Sequence, residues 1–318
     1  MVIAAPLRIV FLGTPAFAVP SLEALIASRH EVVAVVSQPD RPKGRGQHVQ
    51  PTPTRHSATE HGIPVIQPTK IKEEAFLQAI RDLRPDLGVV VAFGRILPDS
   101  LLAIPRLGMI NVHASVLPRY RGAAPIQRAV LAGDAETGVT IMRVATELDA
   151  GPMFSVATAP IPPDATSGEM EGVLAHVGAD ALLPVVDALA EGRAVETPQD
   201  HTLATHAAKV AKTEGTIDWT DPAPLVHNRV RGLQPWPLAS TTLNGERLVI
   251  RRTAVADHLL PEVPPGTIVR AHGDELIVAC GAGTALGIVE IQPEGRRAMA
   301  TRDFLAGRGA SEGARFGP

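Results

Sequence analysis

The sequence predicts an α/β protein, a doubly wound and mostly parallel sheet followed by a smaller β-barrel, and three observations lead there. Apolar β-branched runs without polar alternation recur through the first half, the pattern of strands covered on both faces. Helical stretches fall between those runs, and strands separated by helices imply parallel pairing through right-handed crossovers. Beyond residue 207 the pattern changes to short strands broken by turn signals at close spacing, which suits a small barrel.

Leu7–Leu12 (LRIVFL) reads as the first strand, ending at Gly13, and Ser21–Ser28 as a helix with Leu22, Leu25 and Ile26 on one face. The strand signal returns at Val32–Val36, Leu87–Phe93, Met109–Val112 and Val139–Val144, with helices expected near 72–83, 97–103 and 125–132. A helix rich in Ala and Leu is predicted over Ser167–Ala190, with Gly192 as its stop. Residues 193–207 are polar and lack apolar periodicity, so they are expected to be a linker between domains at 1–192 and 208–318. In the second domain Asp221–Arg231 reads as a helix, with Asp221 as N-cap and Pro222 in the first turn. Strands are expected at Ser240–Leu243, Leu248–Thr253, Gly266–Ala271, Glu275–Ala279 and Ala285–Gln292, and Trp236, held between Pro235 and Pro237, is expected to pack in a core.

Composition bounds the function classes. At 318 residues with 45% hydrophobic and 20% charged side chains, the chain is too apolar for disorder and long enough for two cores. Its one cysteine, Cys280, excludes an intrachain disulfide and any cluster built on several thiols, which fits a reducing compartment. The first twenty residues imitate a secretory leader, with Ala16-Phe17-Ala18 as a small-x-small site, but no basic segment precedes the apolar run and Pro6 and Arg8 interrupt it. No stretch approaches the ~18 uninterrupted apolar residues of a membrane span. The expectation is a soluble, cytoplasmic chain with no membrane association. Net charge is -3, without the basic excess common in nucleic-acid binders. Locally, however, Arg41, Lys43, Arg45 and Arg55, with His48 and His56 among them, face only Asp40, and that segment can meet phosphates.

In a doubly wound fold, ligands bind beyond the carboxyl ends of the strands. Gly108-Met-Ile-Asn-Val-His113 ends a predicted strand, and period-two alternation puts Asn111 and His113 on one face, roughly 6–7 Å apart. An amide is a neutral, fixed donor, and an imidazole exchanges protons near neutral pH. Asp149, in the loop Ala145–Gly151 after another strand, is placed to orient the ring. Together the three suit a tetrahedral oxyanion and its proton traffic. Taken singly, each has a plainer reading: Asn-x-His arises by chance, Asp149 before Ala150-Gly151 is a turn residue, and RPKGRG is a solvated loop. Gly13-Thr-Pro-Ala lacks the G-x-G-x-x-G spacing of a dinucleotide site, which argues against a Rossmann dehydrogenase, and no residues at metal-ligand spacing appear.

The longer words of the chain are more specific. RIVFLGTPAFAVPSLEAL, SQPDRPKGRGQHVQPTP, GMINVHASVLPRYRGAAPIQRAVLAGD and GVTIMRVATELDAGPM, with GTIDWTDPA, VRGLQPWPLA and AMATRDFLAG in the second half, closely resemble the methionyl-tRNA formyltransferase family over nearly the whole chain. The resemblance implies a Rossmann-like formyltransferase domain using 10-formyltetrahydrofolate as co-substrate, without a metal, and an OB-like C-terminal domain for initiator methionyl-tRNA. The family's catalytic amide, imidazole and carboxylate match Asn111, His113 and Asp149. Its folate signature Ser-Leu-Leu-Pro corresponds to Ser115, Val116, Leu117 and Pro118, with Val116 in place of a leucine. The pterin, held in the family largely by main-chain groups, is expected along Val91–Leu97, with Phe93 and Gly94 at its wall. Arg41, Lys43 and Arg45 are expected to reach the acceptor stem, and Arg229, Arg231, Arg251 and Arg252 to gather on one face of the barrel. Rival readings are a formyltransferase acting on a small amine, such as a sugar nucleotide or glycinamide ribonucleotide, and a non-catalytic tRNA-binding protein.

Overall fold

In the computed structural model, which describes residues 5–43, 48–257, 260, 262–307 and 310–317, contacts divide the chain into two units. The first comprises Met1–Gly122, Glu136–Pro160 and Glu171–Ala207; the second comprises Ala123–Ala135, Ile161–Met170 and Ala208–Pro318. The expected boundaries at 192 and 208 divide the chain along its length, whereas in space two earlier segments join the second unit.

The first unit opens with β1 (Arg8–Gly13), α1 (Val19–Ile26) and β2 (Glu31–Val36), then the hairpin of β3 (Arg41–Lys43) and β4 (His48–Gln50), α2 (Pro53–Glu60) and β5 (Val65–Ile66). It continues through α3 (Glu74–Asp82), β6 (Leu87–Val91), α4 (Asp99–Leu102), β7 (Met109–His113) and β8 (Arg121–Gly122). After α5 (Pro125–Ala132), which lies in the second unit, come β9 (Glu136–Arg143), β10 (Met153–Pro160), α6 (Ser167–Ala190) and β11 (His206–Ala207). The main sheet has the order β10-β9-β7-β6-β1-β2-β5. The strands from β7 to β5 are parallel, as the apolar runs predict; β9 runs antiparallel to β7, and β10 antiparallel to β9. The helix between β7 and β9 packs on the second unit's own elements, so it supplies no crossover over the sheet and the next strand returns antiparallel.

Residues of β1 and β6 are almost wholly buried, and Val10, Leu12, Val90 and Met109 pack with Phe76, Leu77 and Ile80 of α3. On α6, a Cβ at Gly178 would stand 2.7 Å from Val112 Cγ1, so this helix needs glycine to lie so close to the strands. By length and composition α6 is apolar enough to cross a membrane; its Leu174, Leu182 and Val186 are buried within the protein. Residues 193–207 are not free chain: Met153 and Thr197 exchange backbone hydrogen bonds, a 3-10 turn spans His201–Leu203, and β11 pairs in parallel with β8.

His30 is buried just before β2. Its Nδ1 accepts the Leu7 N–H at 3.0 Å, which leaves the proton of the neutral ring on Nε2, 3.2 Å from Asp187 Oδ1. Burial pushes this imidazole below its usual range. Between that lowered value and 6.5 the unfolded chain binds a proton that the folded chain does not, so stability is lost as pH falls below 6.5. The melting temperature is expected to drop between pH 7 and about pH 5.5, and to drop less in His30→Gln, whose amide oxygen can take over the Leu7 N–H. A melting series over that range checks it.

The second unit holds α5, α7 (Ala223–Gly232), β12 (Ala239–Leu243), β13 (Glu246–Ala256), β14 (Ile268–His272), β15 (Glu275–Ala279), β16 (Ala285–Pro293), β17 (Met299–Ala300) and α8 (Thr301–Gly307). The strands form an antiparallel path, β12-β13-β16-β15-β14, with β17 on β16. Gly317 bridges to Thr242 of β12 and Arg315 to Thr267 beside β14, so residues 315–317 join the two ends of the path, as a small barrel requires. Inside, Trp219 stacks on Phe316 with ring centroids 5.4 Å apart, among Ile250, Ile268, Val278 and Ile288. Trp236 is 54% exposed, so it is Trp219 and not Trp236 that fills the core. Cys280 is buried in the same cluster, and burial pushes its thiol up to about 12. At α7 the N-cap is Pro222 rather than Asp221, whose carboxylate instead accepts a hydrogen bond from Arg229 Nη2 at 2.9 Å.

Candidate active site

Strand β7 carries Met109, Asn111 and His113 on one face by its alternation, with the two polar side chains at its carboxyl end. His113 is 5% exposed, and both ring nitrogens face oxygen atoms of the protein: Nε2 lies 3.0 Å from the Tyr120 carbonyl, and Nδ1 lies 3.6 Å from Asp149 Oδ2. The Asp149 oxygen also accepts the Gly122 N–H at 2.9 Å. Asn111 is half-buried, and its side-chain amide makes no hydrogen bond to any of the described residues. The amide is therefore free to donate to a ligand, on the same strand face as an imidazole whose Nδ1 lies 3.6 Å from a carboxylate oxygen.

The backbone around this group is unusual for reasons that place it. Asp149 has φ +50°, in the left-handed region that Asp tolerates better than most residues. Two positions later the loop must be glycine, because a Cβ at Gly151 would stand 2.1 Å from the Arg143 carbonyl. Together these turn the chain sharply between β9 and β10 and aim the carboxylate back at β7.

The expected folate residues divide into two kinds. Ser115 is fully buried; its Oγ donates to the Arg119 carbonyl at 2.7 Å. Thr140 Oγ1 donates to the Ser115 carbonyl at 2.7 Å and accepts the Leu117 N–H at 3.1 Å. The turn Ser115–Pro118 is thus pinned to β9, with Leu117 buried and Val116 and Pro118 half-buried. After β6, Phe93 is an anchor whose ring lies in the core with Val10, Leu101 and Met109. On either side Ala92 and Gly94 are exposed with φ of +47° and +78°, so main-chain groups, rather than side chains, line the surface there. Gln38 Nε2 donates to the Phe93 carbonyl at 3.1 Å, and Arg95 Nε donates to Gln38 Oε1 at 3.0 Å, bracing this loop from behind.

In the basic segment, Arg41 is exposed on β3 and has no side-chain partner among the described residues; Lys43 pairs through its backbone with His48 of β4; Arg45 lies outside the described residues. Arg55 is drawn away from any external phosphate by Asp40 and by Gln67 Oε1, the latter at 3.1 Å. The expected gathering of four arginines on the barrel is corrected at two of them. Arg231 is buried and donates to the Ala165 carbonyl at 3.1 Å, and Arg229 is held by Asp221 and the Thr216 carbonyl. A surface depression lined by Arg81, Arg84, Asp86 and Arg106 lies at the opposite, amino-terminal end of β6 and shares no residue with the site. Sequence pattern does not reveal Gln199, a polar residue only 5% exposed within the polar stretch 193–207; a lone buried amide has no periodicity to announce it.

Residues 7–186 match the family model described as formyl transferase, and residues 209–309 match that of the formyl transferase C-terminal domain. The methionyl-tRNA formyltransferase of Methylococcus capsulatus is 50% identical over 299 residues, covering 94% of this chain and 96% of the relative. That of Pseudomonas syringae pv. tomato is 48% identical over 303 residues, 95% of each chain. Among solved structures, an N-formyltransferase from Helicobacter canadensis in complex with folinic acid and dTDP-3-aminofucose is similar in fold, with a TM-score of 0.67 and 16% identity over 90% of this chain and 99% of that one. Glycinamide ribonucleotide transformylase 1 from Symbiobacterium toebii gives a TM-score of 0.51 and 19% identity over 62% of this chain and 95% of that one.

Proposed function

Because the chain belongs to the formyl transferase family, we propose that it moves the formyl group of 10-formyltetrahydrofolate to the α-amino group of methionine on initiator tRNA, giving the N-formylated aminoacyl-tRNA that starts translation. The observation that carries this reading is similarity at about half of all positions, along nearly the full length of both chains, to enzymes named for that reaction. The formyltransferases acting on small amines are similar in fold at 16–19% identity. Residues 1–192 carry the chemistry in this reading, and 208–318 hold the tRNA in the cytoplasm, where charged tRNA is made.

The site fits the folate co-substrate in two respects. The open main chain at Ala92 and Gly94 offers the donors and acceptors that a pterin edge needs, and the Asn111 amide has its hydrogens uncommitted. The neutral amine attacks the formyl carbon, a new C–N bond forms, and the bond from that carbon to folate N10 breaks. Asn111 donates to the formyl oxygen as it becomes negative, an interaction that strengthens toward the transition state. Asp149 takes up the amine proton, shared with the His113 imidazole held between that carboxylate and the Tyr120 carbonyl, and one proton returns to N10.

The test is transfer of labelled formyl from 10-formyltetrahydrofolate to methionyl-tRNA, run beside a sugar nucleotide and glycinamide ribonucleotide as acceptors. Efficient labelling of the tRNA alone is expected; labelling of a small amine in preference would replace this reading with the second. Arg45→Ala is expected to raise KM for the tRNA and to flatten its salt dependence by about one unit of slope, with kcat little changed.

A further inference from the structure

We propose that Gln199, backed by Arg121, is a positioning residue that holds the Asp149 loop so that its carboxylate meets His113. The inference rests on the reading of the site given above. Gln199 Nε2 donates to two carbonyls of that loop, Asp149 O at 2.9 Å and Gly151 O at 2.8 Å. Its Oε1 accepts from Arg121 Nε at 3.0 Å and Nη2 at 2.7 Å. The orientation of the amide is therefore unambiguous: a flip would set its oxygen against two carbonyls and its NH2 against a guanidinium, four repulsive contacts for four favourable ones.

Both residues are more than nine-tenths buried, so these hydrogen bonds are not traded freely for water. Arg121 reaches further, with Glu147 Oε1 of the same loop at 3.6 Å and His201 Nδ1 at 3.3 Å. Its own backbone is tied by the Thr205 carbonyl at 2.9 Å. The short strand β8 and its flanks thus serve the pair from both sides. Tyr120 supplies the carbonyl for His113, Gly122 the N–H for the Asp149 carboxylate, and Arg121 between them holds the amide that grips the Asp149 carbonyl. Asp149 sits at φ +50°, a conformation that its surroundings must maintain, and releasing its carbonyl lets the carboxylate swing from the ring.

Gln199→Glu tests this. The new carboxylate keeps the shape and the partnership with Arg121 but turns an acceptor toward the two loop carbonyls. It is expected to lower kcat per folded molecule about ten- to a hundred-fold, the scale of an ångström of misplacement, with KM for methionyl-tRNA and for the folate within about twofold, and to lower the melting temperature because two buried carbonyls lose their donor. Gln199→Met, which removes donors and acceptor without adding charge, serves should the first variant fold poorly, and it is expected to move kcat in the same direction. In the Asp149→Asn background either substitution should have almost no further effect on kcat, which a merely structural role would not produce. An unchanged kcat per folded molecule, or a full additional loss on top of Asp149→Asn, overturns the proposal while leaving the chemistry assigned to Asp149 intact. An Asp149→Asn variant with full activity overturns that chemistry, and the positioning role with it.

Discussion

Asn111→Ala is expected to lower the rate of formyl transfer about 10²–10³-fold, equivalent to about 2.7–4 kcal/mol of transition-state stabilisation, while KM for both substrates stays within about twofold. The split follows from where the amide is spent. Within the described residues it has no hydrogen-bond partner, so its removal breaks nothing that holds the fold and should leave the melting temperature unchanged. In the proposed mechanism it loses a donor to an oxygen that carries charge only on the way across the barrier, and such an interaction shows in kcat rather than in binding. Single-turnover transfer to methionyl-tRNA, with enzyme in excess, reads the step directly. A loss smaller than fivefold, or one seen only in KM, would move the oxygen-stabilising role to another group.

Asp149→Asn is expected to cost about 10²–10⁴-fold in kcat, the range that proton-transfer groups contribute. The substitution is mild for the structure: an amide oxygen can still accept the Gly122 N–H now bound at 2.9 Å, and the loop carbonyls keep their contact with Gln199. The carboxylate charge 3.6 Å from His113 Nδ1 is lost. An amide can neither take up a proton nor stabilise one on that ring nitrogen as a carboxylate does, so in the proposed mechanism the pair loses its capacity to hold and return the amine proton. Measured kcat on protein of unchanged melting temperature decides it; a kcat within threefold of the parent would show that His113 works without this carboxylate.

Pattern alone reads the two-part architecture because buried parallel strands must be apolar on both faces, as β6 is, and as β1 and β2 are beyond their first residue and β7 is up to Asn111. It misses β10 for the converse reason: Ser155 to Ala159 alternates between exposure and partial or full burial at a sheet edge, and no apolar run marks it. Asn111 and His113 are legible through strand alternation. Asp149 is legible only as a loop carboxylate, since nothing in sequence encodes the 27 residues separating it from the Gly122 N–H that turns it inward. Ser115 shows the limit from the other side. As a motif residue it reads as a ligand contact, yet its hydroxyl is consumed within the turn it stabilises, bonded to Arg119. The grip of Gln199 on the Asp149 loop depends on a contact 50 residues away and leaves no local trace.

The division of the chain into spatial units reaches beyond catalysis. Crossings fall after residues 122, 135, 160, 170 and 207, and α5 packs on α7, with Leu131 against Gly232. No single cut along the chain therefore separates the two units as their contacts define them. A graft of residues 208–318 onto a foreign catalytic body would arrive without the helix that covers α7, and a fragment ending at 192 would strand α5 with its apolar stripe in water.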